Sequence, residues 1–335
     1  MSERRTSAVR GKLVVPDIAR MPTGSRSMTG PAREDDDGVD PSARVSVNKA
    51  YKMFVGGAFV RSESGRYVQS RGEAVDGSAD PSVVNVPRGS RKDARDAVLA
   101  ALGAGAGWAA RTAYNRGQIL YRLAEVMESR KEELRVSLVR GGVAEAEALA
   151  EVELAIDRAV YYAGFCDKFQ ALLASSNPVA GPHFGFSVPE PMGLVGIVAP
   201  ARPALLGLVS TVLPVVAGGN TCVVVAGIDD PRTAVVWCEC LATSDLPGGV
   251  VNVLTGDAAE IGPHLAKHRE VIALDVWSAD AELRTLAERE GAGNVKRVRT
   301  HDEERSLSLH QGSGQGLGYI ERFLETKTIW HPVGV

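Results

Sequence analysis

Four short apolar runs, spaced by helix-length segments, constrain this chain more than any other feature. They are Leu194–Ala199 (LVGIVA), Thr221–Ala226 (TCVVVA), Val250–Leu254 (VVNVL) and Val271–Val276 (VIALDV). A strand with one wet face alternates apolar and polar residues. A nearly continuous apolar run belongs to a strand covered on both faces, the habit of parallel sheets. The intervening segments predict helices over Ala204–Ala217, Pro231–Ala242 and Ala258–Lys267. Gly218-Gly219-Asn220 stops the first, and Asp229-Asp230-Pro231 reads as the start of the second. Lys296-Arg297-Val298 begins a further strand. Alternation at this spacing is that of right-handed βαβ units, so residues 190–300 predict a doubly wound, Rossmann-like parallel sheet.

Upstream, Tyr51–Val60 (YKMFVGGAFV) places bulky residues around Gly56-Gly57 and predicts a β-hairpin. Ser90 is a helix cap, with Asp93 at the third helical position. A second helix follows Asn115, and a third is expected from Ala144 to Leu173. Phe184–Val188 alternates as a strand, and Glu190-Pro191-Met192-Gly193 turns it. Residues 1–48 are rich in Arg, Ser, Gly, Pro and Asp and include the acidic run Glu34–Asp37. That composition buries too little apolar surface to offset ordering, so a disordered tail is expected there.

The 36 glycines among 335 residues suit close packing of helices on a sheet. A formal net charge of −3 supplies no basic field for nucleic acid. No apolar run reaches membrane-spanning length, and no secretory leader pattern is read. The four cysteines, Cys166, Cys222, Cys238 and Cys240, sit in apolar or helical contexts without a paired framework. A reducing cytoplasm is therefore the expected compartment.

These motifs carry a family resemblance. Pro191–Pro200 (PMGLVGIVAP) resembles the aldehyde dehydrogenase strand P-x-G-V-V-G-x-I-x-P. Leu213–Thr221 (LPVVAGGNT) resembles L-A-P-A-L-A-A-G-N-T, and Leu246–Gly256 (LPGGVVNVLTG) resembles L-P-P-G-V-V-N-V-V-T-G. Phe54 to Gly57, Trp108-Ala109 and the closing Glu325–Trp330 (ETKTIW) also fit. The resemblance implies an aldehyde dehydrogenase-like α/β fold. Residues 49–183 and 192–300 would form its NAD-binding-like domain, and 184–191 and 312–335 its small oligomerisation sheet. The catalytic domain would be largely missing. In this the chain resembles the second, truncated module of family-sixteen aldehyde dehydrogenases.

The pattern breaks where the family keeps its chemistry. Arg202 stands where an active member has the asparagine that helps bind the oxyanion. The family's K-P-S-E, whose lysine and glutamate hold the cofactor ribose, reads Val225, Ala226, Gly227 and Ile228. Its F-T-G-S turn, which receives the pyrophosphate, reads Leu274, Asp275, Val276 and Trp277. The general-base glutamate falls near His301, and no nucleophilic cysteine segment follows. The polar join from Thr300 to Gln311 reads as a surface loop in place of a domain.

None of the four cysteines has the electropositive, exposed setting of a reactive thiol. His264 and His268 are four apart, metal-ligand spacing on a helix, but no third ligand stands out and a solvated face is expected. The glycine-rich Gly312–Gly318 follows no strand and reads as a turn, not a phosphate loop. No catalytic residue, no metal and no cofactor are therefore expected, with NAD(P) as the alternative.

What the resemblance leaves is an assembly surface. Its sheet would use a hairpin of Phe184–Val188 with Leu194–Val198, completed by Leu324–Trp330. Phe184, Phe186, Val188, Lys327, Ile329 and Trp330 are its interface candidates. The expected function is a pseudoenzyme subunit, pairing with a complete aldehyde dehydrogenase or with itself. The alternative is an active NAD(P)-dependent oxidoreductase acting on an aldehyde group, and a third reading is a sensor using the altered cleft.

Overall fold

The structure is a computed structural model and describes residues 49–72 and 83–334. The tail expected over residues 1–48 lies outside the described residues. The chain enters as a hairpin, β1 (Met53–Val55) and β2 (Ala58–Val60), turned at Gly56 and Gly57, whose φ values of 63° and 84° favour glycine. A two-stranded ribbon follows, β3 (Tyr67–Ser70) and β4 (Val84–Pro87), which the sequence analysis did not anticipate.

Four helices come next: α1 (Arg91–Ala109), α2 (Ala113–Ser129), α3 (Lys131–Arg140) and α4 (Glu145–Phe165). Ser90 caps α1 through a reciprocal capping box with Asp93, as the sequence indicates. The single helix expected to reach Leu173 instead ends at Phe165. The Lys168 ammonium takes the carbonyl of Gly164 there, and a short α5 (Phe169–Leu173) follows.

The remaining elements, in chain order, are β5 (Ser175–Asn177), β6 (His183–Pro191), β7 (Leu194–Val198), α6 (Ala204–Ala217), β8 (Thr221–Val225), α7 (Pro231–Ala242), β9 (Val251–Leu254), α8 (Ala258–Lys267), β10 (Ala273–Trp277), α9 (Ala281–Ala292), β11 (Arg297–His301), α10 (Glu303–Leu307), α11 (Leu317–Glu321) and β12 (Leu324–Pro332).

The main sheet runs β11-β10-β7-β8-β9-β1-β2. Its first five strands are parallel, and the hairpin adds antiparallel through Phe54 opposite Val253. Side chains alternate between two cores, as the pleat requires. Leu194, Val198, Val223, Val225 and Leu274 meet α1, α8 and α9 on one face. Val195, Ile197, Cys222, Val224 and Ala273 meet α2, α4, α6 and α7 on the other.

Helix α6 is buried on every side: all 14 of its residues are inaccessible. Residues 302–324 supply its outer cover, with Leu309, Tyr319, Ile320, Phe323 and Leu324 joining the same core. The join expected as a surface loop is thus partly a packing element. Asn220 ties the arrangement together. Its Oδ1 accepts from Gly193 N at 2.8 Å, and its Nδ2 donates to Phe323 O at 2.9 Å.

The small sheet is β12-β6-β5. Nine residue pairs join β12 to β6, from Leu324 opposite Pro191 to Pro332 opposite His183. Two details correct the sequence expectation. Leu194–Val198 is not the partner of Phe184–Val188 but a central strand of the main sheet, because Gly193 (φ 124°) turns the chain between the sheets. The third strand is instead Ser175–Asn177, whose Asn177 Nδ2 donates to Ser187 Oγ at 2.8 Å. Residues 312–323, expected with the C-terminal strand, form helical turns.

Candidate functional site

Strand order reverses at β7: the chain adds β8 and β9 on one side and then returns to add β10 and β11 on the other. Loops diverge at such a point, and open α/β sheets take ligands in the crevice beyond the strand ends. A cleft of ≈ 300 Å³ opens there, lined among others by Pro200, Arg202, Ile228, Asp229, Asp257, Trp277, Asp280 and Asp302. Four carboxylates against one guanidinium make its rim acidic.

The helices that begin at this edge would ordinarily offer free amides and a positive dipole end to an anion. Here the chain fills those positions with its own carboxylates. Asp257 accepts from Ala259 N at 2.9 Å, and Asp280 from Glu282 N at 2.8 Å and Leu283 N at 3.3 Å. Asp302 accepts from Arg305 N at 2.9 Å, and Asp230 from Thr233 N at 3.3 Å. Helix α6 follows Pro203, which cannot cap it, so Glu151 reaches across from α4. One oxygen of Glu151 accepts from Leu205 N at 2.8 Å and Leu206 N at 3.1 Å. Burial pushes the Glu151 carboxyl above its ordinary range, while the two amides oppose the shift.

The strand end of β10 is closed by a stacked trio. Asp275 and Trp277 are both 2% exposed. Trp277 Nε1 donates to Asp275 Oδ2 at 2.8 Å, and the other carboxylate oxygen lies 3.1 Å from His301 Nε2 on β11. The Trp277 and His301 rings stack 3.9 Å apart. Asp275 is therefore not a charge at the cleft mouth but the buried anchor of two rings. The carboxylates facing the cleft are Asp229, Asp257, Asp280 and Asp302. Asp257, Asp280 and Asp302 cap the helices that follow them, a signature legible in the sequence as an Asp just before each helix, and Asp230 beside Asp229 was read that way. Glu151 carried no such signal, because it caps a helix more than fifty residues away.

The other sequence candidates disperse. Arg202 lines the cleft, but its Nη2 donates to the carbonyl of Gly141 at 2.6 Å. Val225 is fully buried, and Ile228 is 46% exposed at the rim. Burial pushes the thiols of Cys166 and Cys240 up to about 12 and raises Cys222 and Cys238 as well. Such thiols stay protonated at neutral pH and are poor nucleophiles. His264 and His268 both line one surface concavity beside Arg91, Arg95 and Lys267, where His268 is the C-cap and its ring nitrogen accepts from Glu270 N. Burial, then Arg91 and Lys267, lowers the pKa of His264. Among the described residues no three His, Cys, Asp or Glu side chains cluster as metal ligands. No described helix is long and apolar enough to cross a membrane.

The aldehyde dehydrogenase family model matches residues 67–301, more than half of the chain. The chain belongs to the aldehyde dehydrogenase family. It is 31% identical over 261 residues to the cytosolic 10-formyltetrahydrofolate dehydrogenase of Mus musculus, covering 76% of this chain and 28% of that protein. It is 30% identical over 250 residues to the hydroxyisobutyraldehyde dehydrogenase of Mycolicibacterium austroafricanum, covering 73% and 47%. Among solved structures, HpcC from Thermus thermophilus superposes with a TM-score of 0.69 at 29% identity, covering 75% of this chain and 48% of that one. The chain thus spans less than half the length of these relatives.

An aldehyde dehydrogenase of the ordinary pattern holds a nicotinamide dinucleotide in this crevice, and the residues present do not fit one. Val225 and Ile228 cannot bond ribose hydroxyls. Trp277 fills the strand end where the backbone should approach the pyrophosphate, and the neighbouring amides are already taken by Asp280.

Proposed function

We propose that this aldehyde dehydrogenase family member is a noncatalytic subunit that assembles with a complete aldehyde dehydrogenase or with itself. The observation that carries the reading is the self-capped carboxyl edge, where five helix N-termini are each closed by a carboxylate of the same chain. A scaffold that satisfies its own anion sites gives up the cofactor's main handle. The small sheet supports the assembly half of the proposal. In it β12 is an edge strand, with one row of backbone groups open to pairing and Trp330 61% exposed. On β6, Phe184 is 51% exposed with its ring 5.6 Å from that of Phe186, while Lys327 pairs with Glu190 at 2.9 Å. Phe184, Phe186, Val188, Lys327, Ile329 and Trp330 are the proposed contact set. We read the chain as kin to the truncated second module of family-sixteen enzymes, acting in the cytoplasm.

The test is tagged purification from the native host with native mass measurement. A stoichiometric complex with a complete aldehyde dehydrogenase, or a homo-oligomer lost in Trp330→Glu, is the expected result. A monomer at micromolar concentration that retains aldehyde turnover would sink the proposal.

The position of the cleft at the sheet's switch point favours a second reading, an active NAD(P)-dependent oxidoreductase. Fluorescence titration with NAD+ and NADP+ separates the two. Saturation below about 1 mM, an ordinary affinity for enzyme ligands, would favour the second.

A further inference from the structure

A second concavity lies on the far edge of the main sheet and shares no residue with the cleft. It has a volume of ≈ 620 Å³ and is lined by three arginines, Arg297, Arg299 and Arg322, together with Tyr319 and one carboxylate, Glu321. Arg297 and Arg299 are two apart on β11 and so leave the same face of this edge strand. Arg322 follows α11 directly.

Three observations point to an anion. First, none of the three guanidinium groups has a carboxylate within ion-pair distance among the described residues, and Glu321 pairs with none of them. Second, Arg322 Nη1 is buried and has no hydrogen-bond partner. A buried cationic donor left unpaired is costly, and a small rotation of the guanidinium would offer it to an oxyanion in the groove. Third, the groove is built. Arg322 stacks on the Tyr319 ring at 4.0 Å, and the Tyr319 hydroxyl is held between Arg305 Nη2 at 3.2 Å and Ser313 O at 3.3 Å. Arg297 is held in turn, donating to the carbonyls of Arg322 at 2.9 Å and Leu324 at 2.7 Å. Two of the three cations are fixed before any ligand arrives, which lowers the ordering cost of binding.

We propose that this groove binds a small molecule carrying at least two negative oxyanion charges. Planar guanidinium groups match both phosphate and carboxylate oxygens. The source of the charge, phosphate or polycarboxylate, is left for the probes to separate. The site does not depend on the assembly reading.

The experiment is calorimetric titration of the full chain with inorganic pyrophosphate and with citrate at about 0.15 M salt, where diffuse surface attraction is screened. Saturable binding of one equivalent is expected for at least one probe. Pyrophosphate alone identifies a phosphate ligand, citrate alone a polycarboxylate, and both a site that reads charge. Arg299 is exposed and makes no side-chain bond among the described residues, so Arg299→Ala preserves the fold and should weaken binding at least about tenfold. Arg322→Lys keeps the charge but loses the stacked fork and should also weaken it. Arg91→Ala, on the other basic surface beside His264, should change nothing. Failure of both probes to bind, or unchanged affinity in Arg299→Ala, would overturn the proposal. So would a loss that follows Arg91 instead.

Discussion

The carboxyl edge of the large sheet and the outer strand of the small sheet treat their backbone polar groups in opposite ways. At the first, every helix start in the crevice is closed by a carboxylate of the same chain, one of them drawn from α4. At the second, β12 is paired with β6 along all nine residues and, among the described residues, has no strand on its other side, where only the Leu324 carbonyl is taken, by Arg297. A fold reveals what it is prepared to meet by which hydrogen bonds it leaves unmade. Here a ligand crevice is self-satisfied and a strand edge is not.

The comparison can be broken most severely by uncovering α6. Phe323 is 1% exposed against that helix, and Phe323→Ala should cost about 3–5 kcal/mol in urea unfolding. A loss under 1 kcal/mol would mean that residues 302–324 are not a true cover. Next comes the cap contributed by α4. Glu151→Ala leaves two buried amides without an acceptor and should cost about 2–4 kcal/mol.

Glu151→Gln sharpens the point, because it keeps an acceptor while removing the charge. The native carboxyl is raised above its ordinary value of 4.5, so the folded state holds more protons than the unfolded state above that pH. Wild-type stability should therefore fall as pH rises through that window, and the slope should flatten in the glutamine variant. Identical pH profiles for the two proteins would remove Glu151 from the account.

Asp280→Ala removes a cap exposed to solvent and should cost about 1 kcal/mol. It also frees the amides of Glu282 and Leu283 at the cleft. If self-capping is what keeps anions out, pyrophosphate should then bind there in a background that also carries Arg299→Ala. The smallest effect on stability belongs to the strand edge. Ile329→Lys should change the unfolding free energy by no more than about 0.5 kcal/mol yet shift the oligomer distribution seen in sedimentation. An unchanged distribution would separate β12 from assembly.

The doubly wound core was legible because its cause is local. Continuous apolar runs such as Thr221–Ala226 have one stable home, and Asp230, Ser90 and Gly56-Gly57 mark element ends by their own chemistry. Less was legible where the cause lies across the chain. Nothing near Glu151 announces that it will cap α6. Nothing in Ser175–Asn177 has the bulk of a strand residue, and it becomes one only because Ser187 and Phe186 stand opposite. The replaced cofactor positions stand out against the family pattern, but the surroundings of Asp275 do not. Its two ring partners, Trp277 and His301, come together only when β10 and β11 pair. The arginine groove escaped notice because Arg297 and Arg322 are brought together only by the path of the C-terminal segment.

The complete burial of α6 has a consequence in time. Its largely apolar surface emerges from the ribosome about 90 residues before Leu309, the first core residue of its cover, a wait of roughly 5–20 s at ordinary elongation rates. During that interval the nascent chain displays the surface that chaperones recognise. Its survival in the cell is therefore governed as much by the speed and company of its synthesis as by the stability of the finished protein.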